Sequence, residues 1–257
     1  MQKKHNDYMS AKNMTFMQKL RLAVAPKTVY QSDDGHIVIL DRIEHKRPVR
    51  LLLYDGVRES GVYLDENGDR DPLFYYMQTL KELSLFYEGL GKALLIGGGG
   101  MAFPRYYTDS VPAGRMTVIE KDAQMLNLAK EYFSFAENDR VKAIVGDGIK
   151  YISQLALEIA SDEINSASTK YDFIVFDAFE GRKPVKELLS EGVLKMTYQI
   201  TAPDGILAIN MLNESAGIVS MQTHLAQAIL KRIYKNIRIV NCPQGWNCIL
   251  MASDREL

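Results

Sequence analysis

The chain has 257 residues, 47% of them hydrophobic, and its 31 Lys and Arg against 32 Asp and Glu leave a formal charge of −1. That length suits one large domain or one domain with a small companion, with enough apolar residues for a sizeable core. The same figures exclude a disordered polyelectrolyte and give no electrostatic reason for a nucleic-acid partner, and no apolar run approaches the ~20 residues of a membrane span.

Residues 1–13 are polar and carry Lys3, Lys4 and Lys12. They lack the apolar stretch and small-residue site of a secretory leader, so a cytoplasmic location is the expectation. Phe16-Met17-Gln18-Lys19-Leu20 carries a weak helical pattern. From about residue 28 to 78, apolar and polar residues alternate between turn signals. Asp33-Asp34-Gly35 precedes His36-Ile37-Val38-Ile39-Leu40. Lys46-Arg47-Pro48-Val49-Arg50 reads as a short, solvated basic turn. Val49-Arg50-Leu51-Leu52-Leu53-Tyr54 runs into the hairpin signal Asp55-Gly56, and Gly61-Val62-Tyr63-Leu64 into Asn67-Gly68. Residues 1–78 are therefore expected to form an N-terminal segment and a small antiparallel β domain.

Residues 79–257 change character, with short apolar runs alternating with helical patterns. Strands are expected over 93–96, 116–119, 141–145, 172–176 and 206–209, and helices over 124–133, 149–159, 184–198 and 216–233. This alternation predicts a Rossmann-like α/β domain, a mostly parallel sheet covered on both faces. Residues 237–240 and 247–252 have only a Pro/Gly loop between them and read as an antiparallel pair. Residues 162–170 read as a surface loop, and Trp246 is expected to pack near the last strand. Cys242 and Cys248 exclude a disulfide scaffold and read as inert thiols. His5, His36, His45 and His224 are scattered, with no metal-ligand spacing.

Strand 93–96 runs directly into Gly97-Gly98-Gly99-Gly100-Met101-Ala102, at the edge of a doubly wound sheet where ligands bind. Glycine there permits positive φ and close backbone approach, although a plain tight turn requires the same residues. About twenty residues on, strand two ends in Glu120, placed to accept hydrogen bonds from ribose hydroxyls. Loop and acid together imply an adenosine-containing ligand without separating NAD from S-adenosylmethionine. Strand three is followed by Gly146-Asp147-Gly148, where Asp147 suits an adenine amine or a helix N-cap. Strand four ends in Asp177-Ala178-Phe179-Glu180-Gly181, and Asp177 is placed to orient or deprotonate an acceptor.

This order of motifs resembles the spermidine synthase-like group, which has the class I S-adenosylmethionine-dependent methyltransferase fold. The resemblance covers about residues 30–252. It implies that Gly97, Gly98, Gly99 and Gly100 hold the amino-acid end of the cofactor, that Glu120 binds the ribose, and that Asp147 and Gly148 flank the adenine. It makes Asp177 the base that activates the nucleophile, and Glu180 the second acid of the same motif. Tyr75, Tyr76, Phe179 and Glu180 would line the acceptor pocket. The departures concern polyamine recognition. Gly100 stands where aminopropyltransferases carry an aspartate, and Tyr75-Tyr76-Met77 lacks their histidine and glutamate, with Asp55, Glu59 and Asp71 the nearest substitutes.

The expected function is S-adenosylmethionine-dependent methyl transfer to a small-molecule amine or hydroxyl. Polyamine aminopropyl transfer from decarboxylated S-adenosylmethionine is the alternative. A non-catalytic cofactor-binding module is the reading of another class. Arg105 and Arg182 flank the motif loops without a readable role. The exposed edges of the β unit and the resemblance both suggest a homodimer, and neither nucleic acid nor membrane is an expected partner.

Overall fold

The computed structural model describes residues 14, 16–65, 71–161, 169–181 and 183–257. The Asn67-Gly68 turn, most of the loop expected over 162–170, the N-terminal lysines, His5 and Arg182 lie outside the described residues. The chain divides after Phe74 into two compact units.

The first unit contains helix α1 (Phe16–Val24) and strands β1 (Lys27–Gln31), β2 (Ile37–Glu44), β3 (Arg47–Tyr54) and β4 (Val57–Tyr63). The strands form an antiparallel meander in the order β1-β2-β3-β4. The hairpin at Asp55-Gly56 forms as expected, both residues having positive φ (49° and 75°), as a twisted two-residue turn needs. The β2–β3 turn has the same geometry without glycine, at His45 (φ 47°) and Lys46 (φ 66°). That corrects the basic-turn reading, since the turn is over by Lys46, Arg47 already belongs to β3, and neither Arg47 nor Arg50 is merely solvated. Arg47 donates to both carboxylate oxygens of Asp65, each at 2.6 Å, and lies over the Tyr63 ring. Arg50 grips the buried Asp41 through Nε (2.8 Å) and Nη2 (3.0 Å). Val49, Leu51 and Leu73 form the small core, and a Cβ on Gly61 would sit 2.7 Å from Leu73 and 2.9 Å from Leu51.

The second unit runs α2 (Tyr75–Phe86), β5 (Lys92–Ile96), α3 (Phe103–Ser110), β6 (Arg115–Glu120), α4 (Ala123–Tyr132), β7 (Val141–Val145), α5 (Gly148–Ala160) and β8 (Tyr171–Phe176). A hairpin of β9 (Phe179–Glu180) and β10 (Lys183–Pro184) follows, then α6 (Glu191–Ile200), β11 (Thr201–Leu212), α7 (Met221–Leu230), β12 (Asn236–Asn241) and β13 (Asn247–Ser253). The sheet order is β12-β13-β11-β8-β5-β6-β7. The strands from β7 to β11 are parallel, and β13 and β12 close the sheet antiparallel, as read from the sequence. Leu94, Leu95, Phe173, Ile174, Val175, Leu207 and Leu250 are essentially inaccessible, which explains why the central strands read as continuous apolar runs.

Two helices start later than the apolar periodicity suggests. The helix expected over 184–198 begins at Glu191, because Pro184 is in the β9–β10 hairpin and Ser190 caps the helix. The helix expected over 216–233 begins at Met221, behind Gly217 (φ 79°) and the Ser220 cap. Trp246 does not pack as expected. It is 59% exposed, just past a turn formed by Gln244 and Gly245, both at positive φ. Cys242 and Cys248 are buried free thiols, and burial pushes both of their pKa values up. No helix among the described residues is long and apolar enough to cross a membrane.

Removing Asp41 takes away the carboxylate that the Nε and Nη2 of Arg50 hold, at a side chain only 12% exposed. Asp41→Ala should therefore lose about 3 kcal/mol or more in urea unfolding, whereas Asp41→Leu paired with Arg50→Met should recover most of it.

Candidate active site

The order of strands reverses between β5 and β8, so their carboxyl ends diverge into loops on either side of a crevice. The two strands stay paired one step beyond their ends, where the Asp177 N–H donates to Ile96 O at 2.8 Å. Gly97 has φ of +89°, and a Cβ there would lie 2.4 Å from the Asp177 carbonyl oxygen and 2.9 Å from Ala178 Cα. Only glycine permits both the torsion and the approach.

Glu120, the last residue of β6, is 8% exposed. Its Oε2 accepts the N–H groups of Gly98 (2.8 Å) and Gly99 (3.0 Å), and its Oε1 accepts that of Asp122 (2.9 Å). A carboxylate offers about four lone-pair sites, so roughly one remains for a further donor such as a hydroxyl. The glycine loop turns on through Met101 (φ 54°), whose N–H returns to Gly98 O at 2.8 Å, and α3 starts at once with Pro104 in its first turn. Gly100 supplies no side chain at this corner.

Asp147 caps α5, its Oδ1 accepting from the N–H of Ile149 (2.9 Å) and Lys150 (3.0 Å). Both bonds fall on one oxygen, which leaves Oδ2 as the edge available to an amine. At Gly148 a Cβ would meet Ile96 Cγ2 at 2.5 Å, so glycine lets the start of α5 close onto β5.

The Asp177 carboxylate is held at both oxygens. Asn210 Nδ2 donates to Oδ1 at 2.8 Å, and the Tyr76 hydroxyl donates to Oδ2 at 2.9 Å. Burial pushes its pKa up to about 7, while these two bonds oppose the rise and the Glu120 carboxylate adds to it. Asn210 is 3% exposed, and its Oδ1 accepts from Asn247 Nδ2 at 2.9 Å.

The structure thus joins Gly97, Gly98, Gly99, Glu120, Tyr76 and Asp177 by direct contacts. Tyr75 starts α2, but its hydroxyl accepts from Gln244 Nε2 at 3.1 Å. Phe179 is half-buried on β9, and Glu180 is exposed, in register with Lys183 of β10. Asn210 and Asn247 were not singled out from the sequence, although an amide inside the run Ile206-Leu207-Ala208-Ile209-Asn210-Met211 is a signal of a paired buried polar group. No group of three or more His, Cys, Asp and Glu among the described residues could hold a metal. A cavity of about 410 Å³, lined by Tyr198, Thr201, Tyr234 and Asp254 among others, lies at the opposite, amino edge of the sheet and contains none of these site residues.

Gly97→Ala should cost more than about 2 kcal/mol in chemical denaturation, because strain and clash add. Gly98→Ala should cost less, since the two nearest atoms its Cβ meets, at 2.4 and 2.6 Å, are the flexible end of Met101, with Val118 Cγ1 next at 3.0 Å. A carboxyl group raised from 3.8 to about 7 loses folded-state stability as pH rises through that window. Asp177→Asn should therefore melt higher than wild type, by an amount growing from pH 4 to 7 and level above, worth about 2–4 kcal/mol at most.

Comparison with known proteins places residues 73–253 in a match to the spermine/spermidine synthase domain. The eEF1A lysine and N-terminal methyltransferase of Danio rerio is 28% identical over 147 residues, 55% of this chain and 19% of that protein. The polyamine aminopropyltransferase of Vibrio vulnificus is 29% identical over 153 residues, 60% of this chain and 48% of that protein. The chain thus spans about a fifth and about half of these two relatives. The polyamine aminopropyltransferase of Thermoanaerobacter pseudethanolicus is 24% identical over 228 residues, 86% of this chain and 72% of that protein. Among solved structures, a probable spermidine synthase from Corynebacterium glutamicum superposes with a TM-score of 0.69 at 22% identity, covering 90% of this chain and 81% of that one. Human methyltransferase-like protein 13 in complex with SAH gives a TM-score of 0.60 at 23% identity, covering 71% of this chain and 83% of that one. The structural likenesses establish the expected fold.

Proposed function

The chain belongs to the spermine/spermidine synthase domain family, and from that premise we propose that it is an S-adenosylmethionine-dependent transferase that methylates a small-molecule amine or hydroxyl. The observation that carries the reading is Asp177, a carboxyl group at the switch point, poised near neutrality and held at both oxygens by neutral donors.

The residues present fit an adenosine-bearing cofactor. Glu120 retains capacity for a ribose hydroxyl, Asp147 keeps one oxygen clear of its capping bonds, and a Cβ at Gly146 would meet nothing within 4 Å. These residues, with the loop Gly97, Gly98, Gly99 and Gly100 and with Gly148, would hold it. When bound, S-adenosylmethionine supplies a methyl group activated by its sulfonium.

The chain's own part is alignment and proton transfer. Each oxygen of Asp177 keeps one lone pair beyond its existing hydrogen bond, which would receive an acceptor N–H or O–H. Tyr76 and Asn210 fix the carboxylate so that little reorganisation accompanies removal of that proton. With its pKa near 7 it is ionised for about half the molecules at neutral pH and takes up the acceptor's proton without holding it too tightly. Tyr75 and Phe179 would form apolar walls beside it, and exposed Glu180 a charged rim.

Gly100 favours the intact cofactor. Aminopropyl transfer brings a cationic ammonium to the loop, and the loop run from Gly97 to Ala102 contains no carboxylate to pair with it. Aminopropyl transfer and a module without turnover remain outcomes of the test.

Turnover should be followed as release of S-adenosylhomocysteine across a panel of amines and alcohols. With the acceptor found, Asp177→Asn should lower kcat by about 10²–10⁴-fold with cofactor affinity unchanged. The wild-type rate should rise about tenfold per pH unit below 7 and level above it. Equal rates for wild type and Asp177→Asn would contradict the assignment.

A further inference from the structure

We propose that Asn247 is a positioning residue for Asp177, acting through Asn210 by fixing which end of the Asn210 amide faces the carboxylate. The inference rests on reading Asp177 as the proton acceptor of the site. Three polar groups lie side by side on adjacent strands. In β13, Asn247 pairs with Leu212 of β11, which puts it diagonally across from Asn210 on the same face. Pairing of Ile209 with Phe176 puts Asn210 beside Asp177. The donors run one way along the row: Asn247 Nδ2 to Asn210 Oδ1 at 2.9 Å, then Asn210 Nδ2 to Asp177 Oδ1 at 2.8 Å.

The two ends of a side-chain amide have nearly the same shape, so packing alone cannot choose between them. An ionised Asp177 selects the Nδ2 end by itself. Once Asp177 has taken a proton, that selection lapses, and a turned Asn210 could accept the new O–H through its Oδ1. Such a turn would stabilise the protonated acid and slow its return to the basic form. Asn247, as long as its own amide keeps its orientation, opposes it, because turning Asn210 would set two N–H groups against each other at a residue only 3% exposed, where water cannot compensate. Among the described residues, the other polar groups facing Asp177 are the Tyr76 hydroxyl from α2 and the Glu120 carboxylate from β6, and β11 contributes the neutral Asn210.

Isosteric replacements of Asn247 separate the effects. Asn247→Asp can only accept when ionised, so Asn210 turns its Nδ2 toward it and its Oδ1 toward Asp177. Asn247→Leu leaves Asn210 able to turn. The measurement is the ¹³Cγ titration of Asp177 in aspartate-labelled protein, assigned with Asp177→Asn, which needs neither substrate nor turnover. The midpoint should move up by about one pH unit or more in Asn247→Asp and by about half a unit in Asn247→Leu. Asn210→Leu removes the relay, so in that background Asn247→Asp should shift the midpoint by less than about 0.3 unit. Equal shifts in both backgrounds would mean charge acting through space, and no shift in Asn247→Leu would mean no positioning; either result overturns the proposal. A wild-type midpoint near 4 would instead count against Asp177 as a base poised at neutrality, and the comparison among variants would still be readable.

Discussion

Two backbones meet at the end of the β5–β8 pair, and the candidate site follows from that contact. Asp177 donates its N–H to Ile96, and Gly97 lies so close to the Asp177 carbonyl that a single added carbon would stand 2.4 Å from it. The cofactor loop and the acid-bearing loop therefore leave the sheet from adjacent points. Because the strand order reverses here, the same contact that sets the sheet's register also fixes the distance between the two halves of the chemistry.

Glu120 ties the second half of the arrangement to the first. Its carboxylate accepts two N–H groups of the glycine loop and one from its own turn, so it shapes the loop as well as facing the crevice. Half-buried near it, Asp177 pairs with no cation among the described residues and is raised towards neutrality by burial first and by Glu120 last. A carboxyl group kept in that condition destabilises the fold at neutral pH. Such a group is tolerated where it has a task, and proton transfer from an acceptor is the task its position supports.

Much of the parallel sheet was legible because its strands are apolar on both faces and bounded by Gly and Asp, as at Leu94, Leu95 and Gly97. Helix starts were less so. Apolar periodicity runs through Pro184 and Gly217, while the actual starts are set by the Ser190 and Ser220 caps. The turn after β2 was read too late, over 46–50 in place of His45-Lys46, because positive φ is adopted there without glycine. Trp246 was misplaced because size and aromaticity suggest burial, whereas the turn at Gln244 and Gly245 leads it outward. In the site, Glu120 and Asp177 were readable from their strand-end positions. Tyr76 was placed in the acceptor pocket but not on Asp177, and Asn210 and Asn247 were not singled out, because these residues come from distant parts of the sequence and the sheet register and α2 bring them together.

Calorimetric titration of the wild-type protein with S-adenosylmethionine and, separately, with its decarboxylated form tests the central claim most directly. The account expects saturable binding of the intact cofactor, at least tenfold tighter than the decarboxylated one, about 1.4 kcal/mol at the amino-acid end. Tighter binding of the decarboxylated form would show that another acid replaces the carboxylate missing at Gly100 and would turn the assignment to aminopropyl transfer. Binding of neither would contradict the account as a whole.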